Sequence, residues 1–139
     1  MVNLNVMLDE NAKMPTKAHV WDAGFDVYSR ETKTVKANSS GLFDIGVHIA
    51  IPNGYVGFLK SKSGLNVKRG IQSEGVIDAG YTGSIIVKLY NHSDADYTIN
   101  AGDKISQLVI LPILECNLYL CDSLEETDRG DNGFGSSGL

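Results

Sequence analysis

Apolar residues in this chain recur at every second position. Val2, Leu4, Val6 and Leu8 alternate with polar residues, and Ile45, Val47, Ile49 and Ile51 alternate with smaller or polar ones. Successive side chains of an extended strand point to opposite faces, so a period of two marks a half-buried strand and gives a helix no apolar stripe. Further strand-like runs, rich in Ile, Val, Leu and Tyr, lie at 55–60, 84–90, 104–111 and 116–121. Turn-forming clusters separate the runs: Pro52-Asn53-Gly54, Tyr81-Thr82-Gly83, Asn91-His92-Ser93-Asp94 and Asn100-Ala101-Gly102-Asp103. A helix has room only over the short stretch from Leu65 to Arg69. Many short strands at close spacing imply an all-β sandwich, jelly roll or barrel.

At 139 residues the chain makes one domain, long enough to bury a core without staples. No internal repeat or interdomain linker interrupts it. The last stretch differs in kind: Thr127 to Leu139 is rich in glycine and too poor in apolar residues to bury a core of its own. The expected organisation is a β-rich core over 1–126 and a flexible C-terminal arm over 127–139. A purely solvated tail has no use for Arg129 and Phe134, yet both stand among the glycines.

The net charge of -5 argues against a general nucleic-acid binder, which would show a basic face, but leaves room for a local basic pocket. No apolar run approaches the roughly 20 residues of a membrane span. The N-terminus, MVNLNVMLDENAK, lacks the basic start and apolar block of a signal peptide, so the expected location is cytoplasmic. Cys116 and Cys121 read as two free thiols, at least one of them buried, in a reducing compartment. His19, His48 and His92 are scattered and none pairs with a cysteine, which speaks against zinc.

Three places suit phosphate. In Lys62-Ser63-Gly64 a cation, a hydroxyl and an unobstructed backbone N–H lie together, although an ordinary surface turn can have the same composition. In the arm, Arg129 offers a planar fork, and Gly135, Ser136 and Ser137 offer backbone and hydroxyl donors. Gln107 is a neutral amide inside an apolar strand, where it either faces a ligand or simply faces outward. Neither a Walker loop nor a Rossmann glycine pattern occurs. Asp78 is a lone carboxylate with Tyr81 three residues later. It suits a general base acting on water, and equally the start of an Asp-Ala-Gly-Tyr turn.

Taken together, five segments resemble, in order, the five motifs of the homotrimeric dUTPase family. They are Ala23-Gly24-Phe25-Asp26-Val27-Tyr28-Ser29; Lys62-Ser63-Gly64-Leu65; Gly75-Val76-Ile77-Asp78-Ala79-Gly80-Tyr81-Thr82-Gly83; Gly102-Asp103-Lys104-Ile105-Ser106-Gln107-Leu108; and the glycine-rich run from Arg129 to Gly138. The resemblance spans residues 23 to 138, and its third and fifth segments are the most specific.

The resemblance implies a distorted jelly-roll subunit with one short helix and a C-terminal arm that closes over the site. It implies hydrolysis of dUTP to dUMP and pyrophosphate with Mg²⁺. Asp78 would activate the water that attacks the α-phosphorus, and Tyr81 would pack under the deoxyribose and exclude a 2′-hydroxyl. Ser63 and Gly64 would hold the α/β-phosphate bridge, with Lys62 where the family more often has Arg. Gln107 would contact the phosphate chain, Arg129 would clamp the γ-phosphate, and Phe134 would lie over the uracil, with Gly135 and Ser136 beside it. Gly75, Val76 and Ile77 would line the substrate, and Gln72 stands where the family often places an Asn that helps hold uracil. Asp26 would act on the metal indirectly, through water.

The family is a trimer with sites between subunits, and that too is carried over as an implication. Two departures stand out: Gly80 replaces a second Asp that many members carry, and Asn132 stands where Gly is common. Asn is the side chain that best tolerates the left-handed conformation such a Gly would adopt. A dCTP deaminase of the same fold and a dUTP-responsive regulatory protein are the competing readings. The deaminase would need different ring contacts, and the Phe-bearing arm favours dUTPase. The regulator would have no need of an intact Asp78, Arg129 and Phe134.

Overall fold

The computed structural model describes residues 1–135, 137 and 138. Ten strands and one helix follow in chain order: β1 (Asn5–Leu8), β2 (Gly24–Tyr28), β3 (Lys33–Val35), β4 (Ser39–Asp44), β5 (Val47–Ala50), β6 (Tyr55–Lys60), α1 (Ser63–Arg69), β7 (Ile71–Ile77), β8 (Ile86–Asn91), β9 (Tyr97–Ile99) and β10 (Lys104–Pro112). The largest sheet has the order β2-β10-β6-β7-β8-β4, and the pairs β1-β5 and β3-β9 accompany it. Every named pairing is antiparallel. The result is the all-β, distorted jelly-roll subunit with one short helix that the sequence implied.

The second alternating run behaves as its period requires. Ile45, Val47, Ile49 and Ile51 are all buried, whereas His48 is half-buried and Ala50 exposed. They join Phe43, Leu59, Ile71, Leu89 and Leu108 in one continuous core. The first run differs from expectation. Only Leu4 and Val6 pack against the core, and Val2 and Leu8 are exposed. Val2 lies before β1 begins at Asn5, and Leu8 is the last residue of the strand.

Residues 116–121 form no strand. They lie in an irregular segment in which every described residue from Leu111 onward is exposed. Cys116 and Cys121 are free, and both are exposed, so neither is buried within the protomer. The packed body therefore ends with β10, and Ile113, Leu114, Leu118, Tyr119 and Leu120 project from it without cover.

Two local features place the functional residues. The first is a register shift in β10 between Lys104 and Ser106, opposite Tyr28 and Val27 of β2. A bulge of this kind lets two successive residues face inward, and Ile105 and Ser106 are both buried. The second is α1, which links β6 to β7. It ends at Gly70, whose φ of 67° puts it in the left-handed region and whose N–H bonds the Asn66 carbonyl at 3.0 Å.

Candidate active site

At one end of the β6–β7 hairpin a row of residues crosses the sheet. Asp26 faces Gln107, which faces Lys60, which faces Glu74. Asp26 is 7% exposed and holds two ammonium groups, Lys62 on Oδ1 and Lys104 on Oδ2, the latter at 2.8 Å. Burial by itself would raise the pKa of Asp26. The hydrogen bonds from Lys104 and Lys62 outweigh it and hold the carboxyl below its ordinary value. The same contact raises the pKa of Lys104. Two cations thus stand fixed beside the first turn of α1, where Ser63 and Gly64 are exposed and Lys62, the N-cap, makes no side-chain cap hydrogen bond.

A polar scaffold fixes this end of the hairpin. Ser106 Oγ donates to the Lys60 carbonyl at 2.9 Å, so its contact of 2.7 Å with Ser73 is one in which Ser73 donates. Ser61 Oγ donates to the Ser73 carbonyl at 3.2 Å and accepts from the Ser73 N–H at 3.0 Å. Gln107 donates its amide to the Ser61 carbonyl at 3.0 Å. Gly24 leaves room for that side chain, because a Cβ there would lie 2.7 Å from Gln107 Oε1.

Asp78 sits at the other end of the same hairpin, one residue past β7 and exposed. The N–H of Tyr81 bonds the Asp78 carbonyl at 3.2 Å, and Gly80 takes a φ of 84° to close that turn. The Tyr81 hydroxyl then donates to the Ser84 carbonyl at 2.9 Å, which lays the ring across Gly83. A small pocket of about 250 Å³ opens beside it, lined by Leu59, Gly75, Val76, Ile77, Asp78, Tyr81, Ile85 and Ile86. Its walls are apolar apart from the carboxylate and the phenol, which suits the flat face of a sugar or base more than a phosphate.

The protomer therefore brings Asp26, Lys62, Ser63, Gly64 and Gln107 together at one end, and Gly75, Val76, Ile77, Asp78 and Tyr81 at the other. β6 runs from the Asp78 end to the Lys62 end, and six strand residues span about 20 Å. Gln72 lies near the start of β7, at the Lys62 end, and its Oε1 accepts a hydrogen bond from His92 Nε2 at 2.8 Å. Among the described residues, the arm makes no hydrogen bond to either cluster of its own protomer. Arg129 bonds the Asn132 carbonyl at 2.9 Å, while Phe134 and Gly135 are exposed. Ser136 lies outside the described residues. Asn132 does not adopt the left-handed conformation; Gly130, Phe134 and Gly135 do.

Sequence reasoning passed over Lys104 and the trio Ser61, Ser73 and Ser106. Lys104 was legible as a second cation, three residues before Gln107. The serines carried no signal, because their value comes from register across three strands.

Fixed cations and open backbone groups on an all-β frame without a Walker loop define the class: a jelly-roll protein built to handle phosphate. Comparison narrows it further. A family model described as dUTPase matches residues 10–138. The deoxyuridine 5'-triphosphate nucleotidohydrolase of Yarrowia lipolytica is 42% identical over 135 residues, covering 95% of this chain and 86% of that protein. The probable deoxyuridine 5'-triphosphate nucleotidohydrolase of Schizosaccharomyces pombe is also 42% identical, covering 95% of each. Among solved structures, the dUTPase of Staphylococcus bacteriophage 80alpha with dUPNHPP superposes with a TM-score of 0.94 at 33% identity over 100% of both chains. A mutant dUTPase from phage phi11 of S. aureus, described as coordinating a structural Mg(II) ion, gives 0.83 at 33% identity over 90% of this chain and 100% of that one. The chain belongs to the dUTPase family.

Proposed function

We propose that this protein hydrolyses dUTP to dUMP and pyrophosphate at sites shared between copies of the chain in a homotrimer. The observation that carries the reading is the split of the site residues between the two ends of the β6–β7 hairpin. A water on Asp78 must reach the α-phosphorus, and Ser63 and Gly64 must hold the bridge next to that same phosphorus. One protomer keeps the two groups too far apart for this, so the Asp78 end of one copy has to meet the Lys62 end of another. The uncovered apolar residues Ile113, Leu114, Leu118, Tyr119 and Leu120 support association, since a monomer seldom leaves so many exposed together. The arm leaves its own protomer's body and can serve a neighbour's site.

In the assembled site Asp78 takes a proton from the attacking water. Lys62 and the exposed backbone of Ser63 and Gly64 hold the phosphates, and Gln107 braces the loop that carries them. Tyr81 lies against the deoxyribose, and Gly75, Val76 and Ile77 line the wall beside it. Arg129 and Phe134, brought by the closing arm with Gly135 and Ser136, add a γ-phosphate clamp and an aromatic lid. Closure excludes water and strengthens each charge contact inside. Gln72, whose Oε1 is held by His92, has its amide N–H groups left to meet the uracil.

Among the described residues no group of three or more His, Cys, Asp or Glu side chains gathers to cage an ion. The one buried carboxylate near the cradle, Asp26, has each oxygen paired to a lysine. This donor set fits Mg²⁺ carried in by the triphosphate and reached from Asp26 through water, not an ion held by the protein itself. When bound, Mg²⁺ neutralises charge on the phosphates and on the departing pyrophosphate. No helix among the described residues is long and apolar enough to cross a membrane, and the cytoplasm, with its nucleotide pool, is the expected place of action.

The test is pyrophosphate release with and without Mg²⁺ across dUTP, UTP, dTTP and dCTP, with ammonia followed in parallel. Magnesium-dependent release from dUTP alone supports the reading. Ammonia from dCTP would turn it toward the deaminase.

A further inference from the structure

The turn that carries Asp78 and Tyr81 is tied to the body of the protein from below. His48, on β5, donates Nδ1–H to the Thr82 carbonyl at 2.7 Å, and its Nε2 lies 3.0 Å from Asp9 Oδ1. Thr82 directly follows Tyr81. Two residues further on, the Ser84 hydroxyl is held by Asp44, and the Ile85 N–H bonds the Val47 carbonyl at 2.9 Å. Arg30 joins the two anchors, with one nitrogen 3.0 Å from Asp44 and another 3.9 Å from Asp9. The charged groups facing His48 are thus Asp9, Asp44 and, behind them, Arg30. Both ring nitrogens point at acceptors, and only an imidazolium can donate to both.

We propose that His48 is a positioning residue for dUTP hydrolysis, clamping the Thr82 carbonyl to Asp9 and so fixing the turn that aims Asp78 and seats Tyr81. The inference rests on the dUTPase reading of that site. His48 touches no reacting atom, and its effect passes through the turn. When the ring is neutral, one nitrogen presents a lone pair to an acceptor, and the clamp loses one of its two bonds. The Thr82 carbonyl, then the Asp9 carboxylate, raise the pKa of His48 above its ordinary value against a smaller opposing effect of burial.

Two variants test the clamp. His48→Leu removes both donors. His48→Asn places an amide N–H where Nδ1–H stood and keeps the Thr82 bond without the charge. The readout is the ratio of kcat/KM for dUTP to that for UTP. Both substrates share the triphosphate, so titration of the phosphates and of their metal complex cancels in the ratio. The ratio should fall about tenfold in His48→Leu, with kcat for dUTP falling as well, and recover to within about threefold of wild type in His48→Asn.

A wild-type ratio in folded His48→Leu, or an equal loss in His48→Asn, overturns the proposal. If His48→Leu fails to fold, pH profiles of wild type and His48→Asn decide. The wild-type ratio should decline as pH rises through the histidine range while the variant's stays flat, and profiles that track each other overturn the proposal. A wild-type protein that leaves dUTP intact would instead refute the underlying reading.

Discussion

Ser63 and Asp78 stand at opposite ends of one antiparallel hairpin, β6–β7, joined at the Ser63 end by α1. A strand body of about 20 Å keeps them apart, so proximity within the chain cannot bring them to one phosphorus atom. A second copy, turned by the rotation of a closed oligomer, can supply the missing half. Under the proposed assembly, a lone protomer would be inert and each interface would hold one site.

Asp78 is assigned a proton-transfer role with no part in folding, since it is exposed and only its backbone carbonyl closes the turn. Asp78→Asn should therefore lower kcat by about a thousandfold or more while dUTP still binds. Single-turnover rates and calorimetric titration with dUTP check the two halves of this expectation separately.

Gly83 lies under the Tyr81 ring, and a Cβ there would come within 2.5 Å of the tyrosine hydroxyl. Gly83→Ala should push the ring off its seat and leave the core intact. The expected result is roughly a tenfold fall in preference for dUTP over UTP, with a melting temperature close to wild type. Competition between the two substrates measures the first, and thermal unfolding the second.

Among the described residues, every hydrogen bond of the arm lies within the arm itself. Removal of residues 128–139 should leave unfolding unchanged and lower turnover by about a hundredfold or more, through loss of closure, the Arg129 clamp and the Phe134 lid. Steady-state kinetics of the truncated protein, beside its thermal melt, test this.

The raised pKa of His48 also has a consequence for stability. A group whose folded-state pKa exceeds its unfolded value stabilises fully below the unfolded value, about 6.5 for histidine, and loses that contribution as pH rises through the folded value. The gap in melting temperature between wild type and His48→Asn should be widest below that range and close as pH rises above it. Thermal melts at a series of pH values provide the check.

The sequence shows its strands where alternation is clean, as at Ile45 to Ile51, and where runs are rich in Ile, Val, Leu and Tyr, as along β6, β8 and β10. It hides β2 and β7, because Asp26 in β2 and Ser73 and Gly75 in β7 stand at inward positions where an apolar residue would mark the period. β3 and β9, at three residues each, are too short to show any period. The run at 116–121 misleads, because its apolar residues have no partner within their own protomer. At the site, Asp78, Tyr81, Lys62 and Gln107 are legible as motif members. The Lys62–Asp26–Lys104 ion pairs and the serine scaffold are not, since both depend on which strands lie side by side. The division of the motifs between the hairpin ends is likewise a property of topology, invisible in their order along the chain.

The most direct test of a shared site is complementation. Asp78→Asn and Ser63→Ala/Gln107→Ala chains, each inactive alone, are unfolded together in equal amounts, refolded as a mixture and assayed for pyrophosphate release from dUTP. If one copy's Asp78 serves another copy's cradle, random assembly leaves about a quarter of all sites, one in each mixed trimer, with both halves intact, and activity returns to about that fraction of wild type. A mixture no more active than its separate components would contradict the account.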